Sequence, residues 1–121
     1  MRIMIVEGDC AVVRLWQDYL GREGFEVTSA ETADQAVNAL HGGNFDVVLI
    51  NLVLPDGGAM GIADYIRVSA PQTQVIFVSD QTLFADGSLF ALAPNLRMTI
   101  KPQMPPRDVA EIVRYCAQIP A

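Results

Sequence analysis

The chain has little of what builds covalent or metal frameworks: two cysteines and one histidine in 121 residues. Cys10 and Cys116 lie far apart and form no CxxC pair, so they read as reduced thiols of a cytosolic protein. The lone His41 falls near a helix end, where it suits a partner for the helix dipole better than a catalytic group. Long apolar runs are also missing. Ile3-Met4-Ile5-Val6 stops at Glu7, too short for a signal sequence or a membrane span, and no later segment approaches about 18 uncharged apolar residues. Cations are scarce: eight Lys and Arg against fourteen Asp and Glu give a net charge of −6. That balance repels phosphate backbones and disfavours nucleic acid, and it favours basic peptide surfaces or divalent cations. There is no repeat, low-complexity tract or linker-like stretch.

What is present is a core. Apolar residues make up 51% of the chain and charged ones only 18%, enough for one compact domain over 1–121 with no separate output domain. Strand-like and helix-like segments alternate. Ile3 to Val6 is a continuous apolar run, as expected of a strand buried on both faces. Cys10 to Arg22 has helical spacing, with Val13, Trp16 and Leu20 on one face. Phe25 to Ser29 reads as a second strand. Thr32 starts a second helix, with Gln35 placed for a capping box and Ala36, Val37 and Leu40 as its stripe. Asp46 to Ile50 is the strongest strand, and Pro55-Asp56-Gly57-Gly58 is a turn. Ile62, Ala63 and Ile66 mark a third helix, and Val75 to Val78 a fourth strand. Leu83 to Leu92 is weakly helical, interrupted by Gly87. Arg97 to Ile100 is a fifth strand, and Pro106 to Ile119 a last helix carrying Val109, Ile112, Val113 and Cys116. Five β-α repeats predict an α/β fold: a doubly wound flavodoxin-like (βα)5 sandwich, with a five-stranded parallel sheet covered by helices on both faces. Sites in such sheets form at the carboxyl ends of strands, near the switch in strand order. Here those ends carry Glu7-Gly8-Asp9, Asn51, Ser79 and Lys101.

Read in order, these landmarks resemble the receiver domain of bacterial two-component response regulators, the CheY-like family. Ile3 through Asp9 resembles its first strand and acidic cluster. Asp46 through Pro55 resembles its phosphoacceptor strand and following loop. Ser79 ends the fourth strand, and Lys101-Pro102 the fifth, where the family usually has a cis bond. The resemblance implies a signalling domain, not an enzyme. In such domains an aspartate accepts a phosphoryl group from a phosphohistidine, Mg²⁺ sits between the anions, and Ser or Thr and Lys bind the phosphoryl oxygens.

Several positions depart from that pattern. The acceptor position holds Asn51, whose neutral carboxamide cannot form an acyl phosphate. Gly8 stands where the family has a direct Mg²⁺ ligand, which leaves Glu7, Asp9 and Val53 as remnants of the metal site. No cofactor is therefore expected, or weak Mg²⁺ at most. Asp9 also suits a helix N-cap. Ser79 and Lys101 remain as phosphoryl-binding remnants, with Lys101 expected to point inward and meet Glu7 or Asn51. The family's switch aromatic falls on Met98, which has no ring to move. The first helix offers Val12, Leu15 and Tyr19 for docking a sensor kinase, phosphotransfer protein or downstream regulator. The expected function is an atypical phosphorelay-type receiver in the cytoplasm, acting through protein contacts without phosphorylation. Two alternatives stay open: a conventional acceptor carrying an engineered Asp-to-Asn change, and a small flavodoxin-like FMN-binding protein.

Overall fold

A computed structural model describes residues 1–80 and 96–118. Five strands form one parallel sheet: β1 (Arg2–Val6), β2 (Glu26–Ala30), β3 (Val47–Asn51), β4 (Gln74–Val78) and β5 (Leu96–Ile100). Their order across the sheet is β2-β1-β3-β4-β5. Four helices are described: α1 (Cys10–Arg22), α2 (Ala33–Gly42), α3 (Ala59–Ser69) and α4 (Pro106–Gln118). The expected helix over Leu83 to Leu92 lies outside the described residues.

The continuous apolar runs are explained by two cores, one on each face of the sheet. Because strand side chains alternate, Met4, Val6, Val48, Ile50, Val75 and Phe77 point to one face and pack with Ala36, Leu40, Ile62 and Ile66 of α2 and α3. Ile3, Ile5, Val47, Leu49, Ile76 and Val78 point to the other, against Trp16 and Leu20 of α1 and Val109 and Val113 of α4. Every one of these side chains is buried. The α1 stripe is realised through Trp16 and Leu20, while Val13 is only half-buried.

Helix starts follow local chemistry. Asp9 caps α1, its Oδ1 accepting from the Ala11 N–H at 2.9 Å. Thr32 caps α2, its Oγ1 accepting from the Gln35 N–H at 3.2 Å. The expected box is displaced by one residue: Gln35 Oε1 accepts from the Glu31 N–H at 2.8 Å instead of that of Thr32. In β5 the register slips. Val75 pairs with Leu96 and Ile76 with Met98, leaving Arg97 as an extra residue. Its Nε donates to Gln74 Oε1.

Candidate functional site at the β1–β3 edge

β1 and β3 are neighbours, and their registered pairs end at Val6 and Ile50. The next residues, Glu7 and Asn51, therefore emerge side by side at the carboxyl edge, where the strand order switches. Glu7 is only 8% exposed. Burying an ionised carboxylate demands hydrogen-bond partners, and it has two. Asn51 Nδ2 donates to Glu7 Oε2, and the Asp9 N–H donates to Oε1 at 3.2 Å. The other end of the Asn51 amide accepts from the Val53 N–H at 2.8 Å. This chain of bonds orients the carboxamide: its NH₂ faces the carboxylate and its oxygen faces the backbone donor.

The loop that follows is tied down from outside. Asp56 accepts from the first N–H groups of α2, those of Ala33 at 3.0 Å and Asp34 at 3.4 Å. Those bonds, led by the one from Ala33, hold the Asp56 carboxyl below its ordinary value. Gly58 passes so close to α2 that a Cβ there would lie 2.5 Å from Ala33 Cβ. Gly8 is crowded on the same side: a Cβ would meet Cδ and Cγ of Pro55 at 3.2 Å.

A family model for the response regulator receiver domain matches residues 3–99. The chain belongs to the receiver-domain family of response regulators. It is 31% identical over 78 residues to the alginate biosynthesis transcriptional regulatory protein AlgB of Pseudomonas aeruginosa, covering 64% of this chain and 17% of that protein. It is 27% identical over 79 residues to the cell cycle transcriptional regulator CtrA of Caulobacter vibrioides, covering 65% of this chain and 34% of that one. The chain thus spans between a sixth and a third of these relatives. Among solved structures, a CheY-like receiver domain protein from Methanospirillum hungatei superposes with a TM-score of 0.87 at 26% identity, covering 96% of this chain and 92% of that one. TrrA of Thermotoga maritima, solved with Mg²⁺ and BeF, shares the fold with a TM-score of 0.81 at 20% identity, over 95% and 97% of the two chains. The chain is accordingly a receiver domain of two-component signalling.

The receiver fold brings together some of the residues picked out from the sequence and separates others. Glu7, Asn51 and Val53 share one hydrogen-bonded network. Asp9 reaches that network through its N–H, but its carboxylate is occupied as the α1 cap. Ser79 is buried, its N–H donating to the Ile100 carbonyl at 2.9 Å. Lys101 departs from expectation. It is exposed and meets neither Glu7 nor Asn51; the donors to the Glu7 carboxylate come from Asn51 and Asp9. No cis peptide occurs among the described residues, so the Lys101–Pro102 bond is trans, not cis. Met98 is half-buried against the α1–α4 core. On α1, Val12 and Tyr19 pack against that same core, and only Leu15, at 57%, is strongly exposed. In the sequence Asp56 shows only as a turn residue, and Pro55 as a turn residue that also ends the loop after β3. Their reach to α2 and to Gly8 depends on contacts between loops that are distant in sequence.

No helix among the described residues is long and apolar enough to cross a membrane. Cys10 is exposed and Cys116 buried, both as free thiols. Burial pushes the Cys116 thiol up, partly offset by the nearby Arg97 charge.

Proposed function

We propose that this receiver signals by protein contact without accepting phosphate, in the cytoplasm, with a sensor kinase, phosphotransfer protein or downstream regulator as its partner. The observation that carries this reading is the hydrogen bond from Asn51 Nδ2 to Glu7 Oε2. Acyl-phosphate formation needs an ionised oxygen nucleophile. A carboxamide offers a weakly nucleophilic oxygen, and here that oxygen is already engaged by the Val53 N–H.

The neighbouring residues do not suit a directly bound Mg²⁺. That ion wants carboxylate oxygens at short range in near-octahedral order. Glu7 is committed to Asn51 and Asp9, the Asp9 carboxylate caps α1, and position 8 has no side chain. Among the described residues, no group of three His, Cys, Asp or Glu side chains is arranged to hold a metal. The Asn51 amide does the work a cation would otherwise do, giving the buried carboxylate a donor.

Partner docking through α1 centres on Leu15, with Val12 and Tyr19 supporting it from the core boundary. The test has two arms. Purified protein is incubated with acetyl phosphate and Mg²⁺, and no base-labile phosphoadduct should form. Partners captured from the native host are compared with those captured by Leu15→Glu, which should lose them. An acid-stable, base-labile adduct on the unmodified protein overturns the first claim. An unchanged partner set overturns the second.

A further inference from the structure

The amino edge of the sheet, opposite Asn51, carries a second feature. A cleft of about 460 Å³ opens there between the C-terminal ends of α2 and α3. A helix C-terminus carries about half a negative charge on its unpaired carbonyls. The two ends are finished differently. At α3 the Ala70 N–H donates back to the Ile66 carbonyl at 2.8 Å. At α2 the chain leaves through Gly43 in an extended conformation, with φ −161° and ψ 169°. Among the described residues, no backbone N–H folds back onto the last turn of α2. Helix geometry always leaves the final carbonyls without an intrahelical donor, and the last residues of α2 line the cleft.

The rest of the cleft suits the same charge. Tyr65 supplies a half-buried ring and a hydroxyl lying 3.5 Å from His41 Nδ1. The lining has no Lys, Arg, Asp or Glu, and His41 is its one basic side chain. The two nearby arginines are each engaged in an exposed ion pair. Arg2, which lies against Gly43, pairs with Glu26 at 3.5 Å and stacks over Phe45. Arg67 pairs with Asp64 at 2.6 Å. The chain as a whole carries −6. Carbonyl ends attract a cation bearing N–H donors and repel an anion, and an aromatic ring in the lining can add a cation–π contact.

We propose that this cleft binds an ammonium or guanidinium group, carried by a free polyamine or by a Lys or Arg side chain of a peptide. The site is independent of the reading at Asn51, since it lies at the other end of the sheet. The test follows backbone amide resonances of the full chain during titration with spermidine and, separately, with a short capped Arg/Lys peptide at constant ionic strength. Saturable shifts are expected at Gly42, Gly43, Asn44 and Ser69, with none in the loop after Asn51. Tighter binding of spermidine assigns the site to free amines, and tighter binding of the peptide to a partner side chain. Ser69→Lys sets a tethered cation at the mouth of the cleft. Ser69 is exposed and ends α3, a position where lysine is well tolerated. This variant should weaken binding at least about threefold, the scale of one charge–dipole contact. Tyr65→Phe, which keeps the ring, should weaken it less. Non-saturating shifts spread over the acidic surface, or unchanged binding by Ser69→Lys, overturn the proposal.

Discussion

Replacing Asn51 with aspartate tests the central geometry most directly. The change is nearly isosteric, yet it removes the NH₂ that donates to Glu7 Oε2 and places a second carboxylate there. Two unit charges about 4 Å apart repel by about 4 kcal/mol at an effective dielectric near 20, a fair setting for a Glu7 side chain only 8% exposed. The lost hydrogen bond to a charged group costs about a further 1.5 kcal/mol. Uptake of one proton by the pair relieves part of this, so a net loss of about 2–4 kcal/mol at neutral pH is expected in the absence of divalent ions. The pH dependence follows in sign. One carboxyl of the variant pair has its folded pKa raised above the unfolded value, so the folded state holds the extra proton. The penalty is absent below about pH 4 and grows as pH rises through the raised value. Urea unfolding with EDTA at pH 4 and pH 7 measures both limits. The Glu7→Gln/Asn51→Asp double variant reverses the donor and acceptor while leaving the Asp9 and Val53 N–H groups their acceptors. It should recover most of the loss, giving a coupling of about 2–3 kcal/mol. Equal stability of Asn51→Asp and the native protein at pH 7, or no recovery in the double variant, refutes the Glu7–Asn51 clasp.

Other perturbations probe the frame around it. Asp56→Ala removes the acceptor for the Ala33 and Asp34 N–H groups. Because the Asp56 carboxyl sits below its ordinary value, its contribution is present above the usual carboxylate range and is lost as pH falls through the depressed value. The native protein should therefore lose more stability than the variant on acidification, as followed by circular dichroism. Gly58→Ala drives a methyl to within 2.5 Å of Ala33 Cβ. It should lower Tm and raise amide exchange at the start of α2, and an unchanged Tm would mean the loop and helix part freely. Trp16→Ala empties the largest side chain of the α1–α4 core and should cost about 3–5 kcal/mol in urea unfolding. Leu15→Glu, on the exposed side of the same helix, should change stability by less than about 0.5 kcal/mol.

Much of this receiver was legible in its sequence. The α1 bounds, Cys10–Arg22, match the expected helix, because its apolar stripe and Asp9 cap are both local signals. The β2 strand is Glu26–Ala30, one residue later than expected, since Phe25 is apolar and buried yet precedes the strand. The extra Arg97 in β5 was not legible, because pairing register depends on the neighbouring strand. The docking triad on α1 was legible as apolar residues but not by its exposure. Only packing against α4 and the sheet separates Val12 and Tyr19 from Leu15.

By itself the sequence determined the strand and helix alternation, the family, and the chemistry missing at positions 8 and 51. Hydrophobic period, turn residues and functional-group identity are properties of short stretches of chain. Only the tertiary structure decided how those positions are satisfied. It set Asn51 beside Glu7 through the β1–β3 pairing, and it turned Lys101 outward to solvent. It also used Pro55 and Asp56 to close the loop against Gly8 and α2. Those outcomes rest on contacts between segments tens of residues apart, where each donor can serve only the acceptor that the fold brings within reach.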